Sequence, residues 1–156
     1  MELRVIGVGN ILLCDEGIGV HVVRELHRRG VPAGVEYLDG GVAGATLLNL
    51  IEGEKRVVIV DAVDAPFPPG TVVRFAPDEI AGTVSPAWSL HDVNLAAVLG
   101  MMRLRETLPE MLVLGVVPAD IGSYRLDLSS LLAARFGEIV EKVLGEIAAF
   151  AASPGP

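Results

Sequence analysis

The sequence predicts an α/β three-layer sandwich: a five-stranded, mostly parallel twisted sheet with one antiparallel edge strand and helices on both faces. Two observations carry this expectation. Short runs rich in β-branched residues, bounded by Gly, Pro or Asp, alternate with segments of helical periodicity, the pattern of βαβ units. The segment between the third and fourth of these runs, about nine residues that include Asp64-Ala-Pro-Phe-Pro-Pro-Gly70, is too short for a parallel crossover, which needs a dozen or more residues.

The elements follow in order. Strands are expected over about 2–8, 34–39, 56–61, 71–76 and 111–117. The run at 71–76 is assigned antiparallel to its neighbours, and its Pro-rich flank suits an edge. The first helix, 17–29, sets Ile18, Val22 and Leu26 on one stripe, with Arg24, Glu25, Arg28 and Arg29 mostly elsewhere. A second helix covers about 44–52, and a third about 89–102 with Ser89 as N-cap. The last, about 128–150, carries Leu132, Phe136, Ile139, Val143 and Ile147 along one stripe. Residues 1–152 are read as a single domain and 153–156, Ser-Pro-Gly-Pro, as a frayed tail.

Composition narrows the function. The chain of 156 residues is long enough for one substantial core. A net charge of −8 with scattered Lys and Arg argues against a nucleic-acid or anionic-membrane surface. No apolar stretch reaches the length of a membrane span, the start of the chain lacks the layout of a signal peptide, and Cys14 is the one cysteine. A cytoplasmic monomer is the expectation.

The most informative stretch is GVGNILLCDEGIGV, residues 7–20, where a strand ends in glycines and a loop then presents Asp15 and Glu16 before a helix. Open α/β sheets bind ligands beyond the carboxyl ends of their strands. One of the two acids is expected to favour the helix N-terminus through its dipole, but not both to do only that. Asp61 ends the apolar run RVVIVD, and Asp39 ends the second strand before Gly40 and Gly41. A tight turn accounts for Asp39 as well as a functional role does, and Asp64 is read as turn-forming. His91, in WSLHDVNL, sits near the start of the third helix, where Asp92 is expected to support the helix terminus. His21 and His27 are read as solvated helix residues, and Cys14 as an inert, partly buried thiol. Two carboxylates and an imidazole from separate loops would form a mixed oxygen and nitrogen site suited to Ni, Zn, Fe or Mn. The first loop lacks the third small residue of a dinucleotide fingerprint, and there is no P-loop, no GxSxG and no HExxH.

Taken together, GVGNILLCDEGIGV, LDGGVAG (38–44), VIVDAVDAP (58–66) and the His of SLHDVNL resemble the [NiFe]-hydrogenase maturation endopeptidases over nearly the whole chain. The resemblance implies an endopeptidase, grouped by convention with aspartic peptidases, that removes a C-terminal extension from a nickel-loaded hydrogenase large-subunit precursor. By position, the residues that contact nickel would be Glu16, Asp61 and His91. Asp39 and Asp61 would serve catalysis, with Gly40 and Gly41 against the substrate. The resemblance further implies that nickel is presented by the substrate. Whether a metal-activated water or a carboxylate base does the chemistry stays open. Two other classes are compatible with the residues: a nucleotide- or nucleoside-binding α/β enzyme, and a metallochaperone that holds the precursor without cutting it.

Overall fold

The computed structural model describes residues 2–42, 45–77, 79, 89–90 and 93–155. Its elements are β1 (Leu3–Val8), a 3-10 turn (Cys14–Gly17), α1 (Ile18–Arg29), β2 (Val35–Gly41), α2 (Ala45–Ile51), β3 (Arg56–Asp64), β4 (Val72–Phe75), β5 (Ser89–Leu90), α3 (Val93–Leu104), β6 (Glu110–Val116) and α4 (Ser130–Ala152). The main sheet has the order β2-β1-β3-β6-β4. β1 runs parallel to β2 and β3, and β3 parallel to β6. β4 lies at the edge antiparallel to β6, as the short Pro-rich connection requires. The five expected strands and both helical layers are therefore present.

Strand alternation sorts the apolar residues into two cores. On one face Val58, Val60, Leu112 and Leu114 pack with Ile18, Val22 and Leu26 of α1 and with Leu132, Ile139, Val143 and Ile147 of α4. On the other, Val57, Ile59, Val63 and Val113 pack with Leu47 and Ile51 of α2 and Leu95, Leu99 and Met102 of α3. Gly19 lets α1 settle onto the sheet, because a Cβ there would collide with the carbonyl oxygens of Val60 and Val8.

Three local expectations are corrected. β3 does not stop at Asp61 but runs to Asp64, because β5 pairs antiparallel with its last residues, Val63 with Leu90 and Asp64 with Ser89. Asp64 is therefore a strand residue and not part of the following turn. Ser89 belongs to β5, so it does not cap the third helix, which begins at Val93. Ser153, assigned to the tail, is instead the C-cap of α4, and its Oγ accepts a 3.0 Å hydrogen bond from Arg56. The Arg56 guanidinium also donates to the Phe150 carbonyl at 2.6 Å, lies 4.5 Å from the Phe150 ring and pairs with Glu110 at 2.7 Å. A cation at the carbonyl end of α4 complements the helix dipole, and it locks that helix to the amino edge of the sheet.

Candidate active site

The carboxyl ends of β2, β1 and β3 lie side by side, with Asp39 paired to Gly7 and Gly7 to Val60. From β1 the chain turns at Gly9, which has φ +142° and where a Cβ would strike the Glu16 carbonyl oxygen. Leu12 is held by the Asn10 side chain at 3.0 Å, and the 3-10 turn follows at Cys14, whose φ of 53° is rare without glycine. This turn packs against β3.

The adjacent acids of that turn have different surroundings. Asp15 is fully buried. Its Oδ2 accepts from the amides of Ala119 and Asp120, both at 2.9 Å, and its Oδ1 from the amide of Ser129 at 2.8 Å. Asp15 thus ties the turn to the loop after β6 and to the start of α4, where the Ser129 hydroxyl caps Leu132 at 3.3 Å. This goes beyond the dipole role expected from the sequence. No local signal could reveal it, because the amide donors lie 104 to 114 residues away. Glu16 is only half-buried, on the same turn.

Asp61 is fully buried in β3, with Oδ1 accepting from the Ala62 amide at 2.8 Å. Every residue from Arg56 to Val63 is buried, and from Val57 to Val63 this carboxylate is flanked only by apolar strand residues. By alternation it shares the face of Ile59 and Val63, the side packed by α2 and α3. Asp39 lies on the opposite face, toward α1: its Oδ2 accepts from Arg24 Nη2 at 2.7 Å and Nε at 3.0 Å, and its Oδ1 from the Gly41 amide at 2.9 Å. Asp39 and Asp61 therefore do not face one another as a carboxylate dyad. Gly41, at φ +57°, supports the Asp39 turn, while a Cβ at Gly40 would press on Ile6.

Two further residues differ in degree from expectation. Cys14 is fully buried, and burial followed by the Asp15 charge raises its thiol pKa, so it is a protonated, unreactive group at neutral pH. His21 is not simply solvated. It is half-buried, and its Nε2 is enclosed with no hydrogen-bond partner among the described residues. Burial and then Arg24 lower its pKa, against the opposing charges of Asp127, Asp15 and Asp39. The neutral imidazole's contribution to stability is thus present above its ordinary value of 6.5 and is lost as pH falls through the lowered one.

His91 and Asp92 lie outside the described residues. Leu90, immediately before His91 in the chain, pairs with Val63, two residues beyond Asp61. Among the described residues no three His, Cys, Asp or Glu side chains are grouped to hold a metal ion.

Comparison with known proteins places this architecture. Residues 20–146 match the family described as hydrogenase maturation protease. The hydrogenase 2 maturation protease of Escherichia coli K12 is 36% identical over 150 residues, covering 94% of this chain and 91% of the relative. The hydrogenase expression/formation protein HupD of Bradyrhizobium diazoefficiens is 40% identical over 123 residues, covering 77% of this chain but 64% of its own length. The solved structure of the hydrogenase maturating endopeptidase HybD from E. coli superimposes with a TM-score of 0.77 at 34% identity, covering 96% of this chain and 93% of that one. The chain belongs to the hydrogenase maturation protease family, and its enzyme class is that of a peptide hydrolase.

Proposed function

We propose that this chain cuts the C-terminal extension from a hydrogenase large-subunit precursor once nickel has been inserted, and that it senses nickel through Glu16, Asp61 and His91. The observation that carries the reading is Asp61: a carboxylate in the buried, apolar interior of β3, against which the Glu16 turn packs. Its carboxylate and that of Glu16 supply the oxygen donors of the mixed oxygen and nitrogen set that suits nickel.

In this reading nickel is part of the substrate. The precursor's metal centre docks on the two carboxylates and the imidazole, which makes recognition conditional on metal loading. Polarisation of the scissile carbonyl by the metal then favours attack by water. Water adds its hydroxyl to the carbonyl carbon, the C–N bond breaks, and the proton leaves with the amine. Asp39 keeps acceptor capacity on Oδ1 beyond its bond from the Gly41 amide, so it is available as the carboxylate base of the alternative route. It also shapes the glycine turn that would lie at the substrate edge.

The decisive experiment incubates the protein with nickel-loaded and nickel-free precursor and reads the precursor mass. Only the loaded form should be shortened, and Glu16→Gln or His91→Ala should abolish that cleavage with little change in melting temperature. Equal cleavage of both forms would overturn nickel sensing. Stable binding of loaded precursor without cleavage would identify a metallochaperone instead.

A further inference from the structure

The loop that leads into the Glu16 turn is also one half of a small parallel ribbon. Leu13 bridges Arg125, the Arg125 amide donates to the Leu12 carbonyl at 3.0 Å, and the Cys14 amide donates to the Arg125 carbonyl at 2.9 Å. The parallel bridge sets the backbone of Leu12 beside that of Tyr124, and Leu126 follows Arg125 on the other side of the bridge. The side chains of Leu12, Tyr124 and Leu126 are 56%, 88% and 61% exposed. The ribbon is not loose. Asp120 accepts from the Gly122 and Ser123 amides at 3.0 Å and from the Ser123 hydroxyl at 2.6 Å, while Asp15 clamps Ala119 and Asp120. Three large apolar side chains thus stand in water around one hydrogen-bonded bridge, where a partner can cover them.

Resting on the function proposed above, the geometry points to Leu12, Tyr124 and Leu126 as the surface that docks an extended apolar segment of the precursor close to its scissile bond. Two observations favour this occupant over a second copy of the chain. The ribbon ends at Cys14, where the turn bearing Glu16 begins, so a segment lying along it runs directly to the proposed metal-reading acids. The area is also small: three such side chains offer roughly 300–400 Å², against about 800 Å² per partner in a stable protein interface. That suits a transient substrate contact that adds to a metal-directed one.

The test compares the wild-type chain, Tyr124→Ser, and the triple variant Leu12→Ser/Tyr124→Ser/Leu126→Ser. It measures the Kd for nickel-loaded precursor, its steady-state cleavage, and sedimentation of the free protein. The triple variant should raise Kd and KM about tenfold with kcat within about twofold, the pattern of lost uniform binding. Tyr124→Ser should show a smaller rise in the same direction, and melting temperatures should hold because no core contact is removed. Unchanged Kd and KM would overturn the docking surface while leaving the cleavage reading intact. Loss of self-association without a change in Kd would assign the face to a second copy and also overturn it. If the wild type binds but fails to cut the precursor, the cleavage reading falls, and the Kd comparison still decides this one.

Discussion

Asp15 and Glu16 are neighbours with the same chemistry and different surroundings. Asp15 is enclosed and accepts three backbone amides, so it is a clamp whose loss is felt in folding. In Asp15→Asn, either orientation of the amide turns an NH₂ group toward at least one of those N–H donors. Leaving a buried donor unsatisfied and losing charge-assisted bonds costs about 2–4 kcal/mol, which lowers the melting temperature by roughly 5–15 °C for a chain of this size. Glu16→Gln, one residue on, should instead leave melting nearly unchanged and remove cleavage. Thermal melts and precursor mass on the same two preparations check the division, and a stable Asp15→Asn protein would show that the clamp is dispensable. The sequence marks both acids as unusual but does not separate them, because what separates them is contributed by residues beyond β6.

Elements defined by local pattern were readable, and those defined by distant pairing were not. The stripe of Ile18, Val22 and Leu26 and the antiparallel edge of β4 follow from spacing and connection length alone. By contrast Ser89 resembles a helix cap until β5 pairs with the end of β3, a contact that no local periodicity announces. The far end of α3 carries a testable feature of its own. The Thr107 amide bonds the Met102 carbonyl at 3.0 Å and the Glu106 amide bonds the Arg103 carbonyl at 3.1 Å, which is a Schellman closure with Glu106 in the left-handed position at φ 55°. Glycine is the residue that position favours. Glu106→Gly should therefore stabilise the protein by about 0.5–1 kcal/mol, the steric relief in the left-handed region outweighing the greater chain entropy of glycine. A rise of roughly 1–3 °C in melting temperature is the expected reading, and a fall would mean that Glu106 makes a compensating contact.

At the scale of the whole molecule, the relation between Asp39 and Asp61 shows why the site was only partly legible. Both fall at strand ends in the sequence, and only the register of β2, β1 and β3 reveals that they emerge on opposite faces. The same sheet organises the contacts that hold the protein together. Two apolar cores sandwich the strands, and Arg56 fastens α4 at the amino edge, the far end of the sheet from Glu16 and Asp61. A metal that belongs to the substrate adds nothing to this stability, unlike one whose binding energy is part of a domain's folding energy. If nickel arrives with the precursor, a chelator should leave the melting temperature of the isolated chain unchanged within about 1–2 °C, a shift worth less than ~1 kcal/mol. After the chelator is removed, the protein should cut nickel-loaded precursor at its original rate with no metal restored to it. A large fall in melting temperature, or activity that returns only when nickel is added to the protease before substrate, would place the metal in the enzyme and not in its substrate.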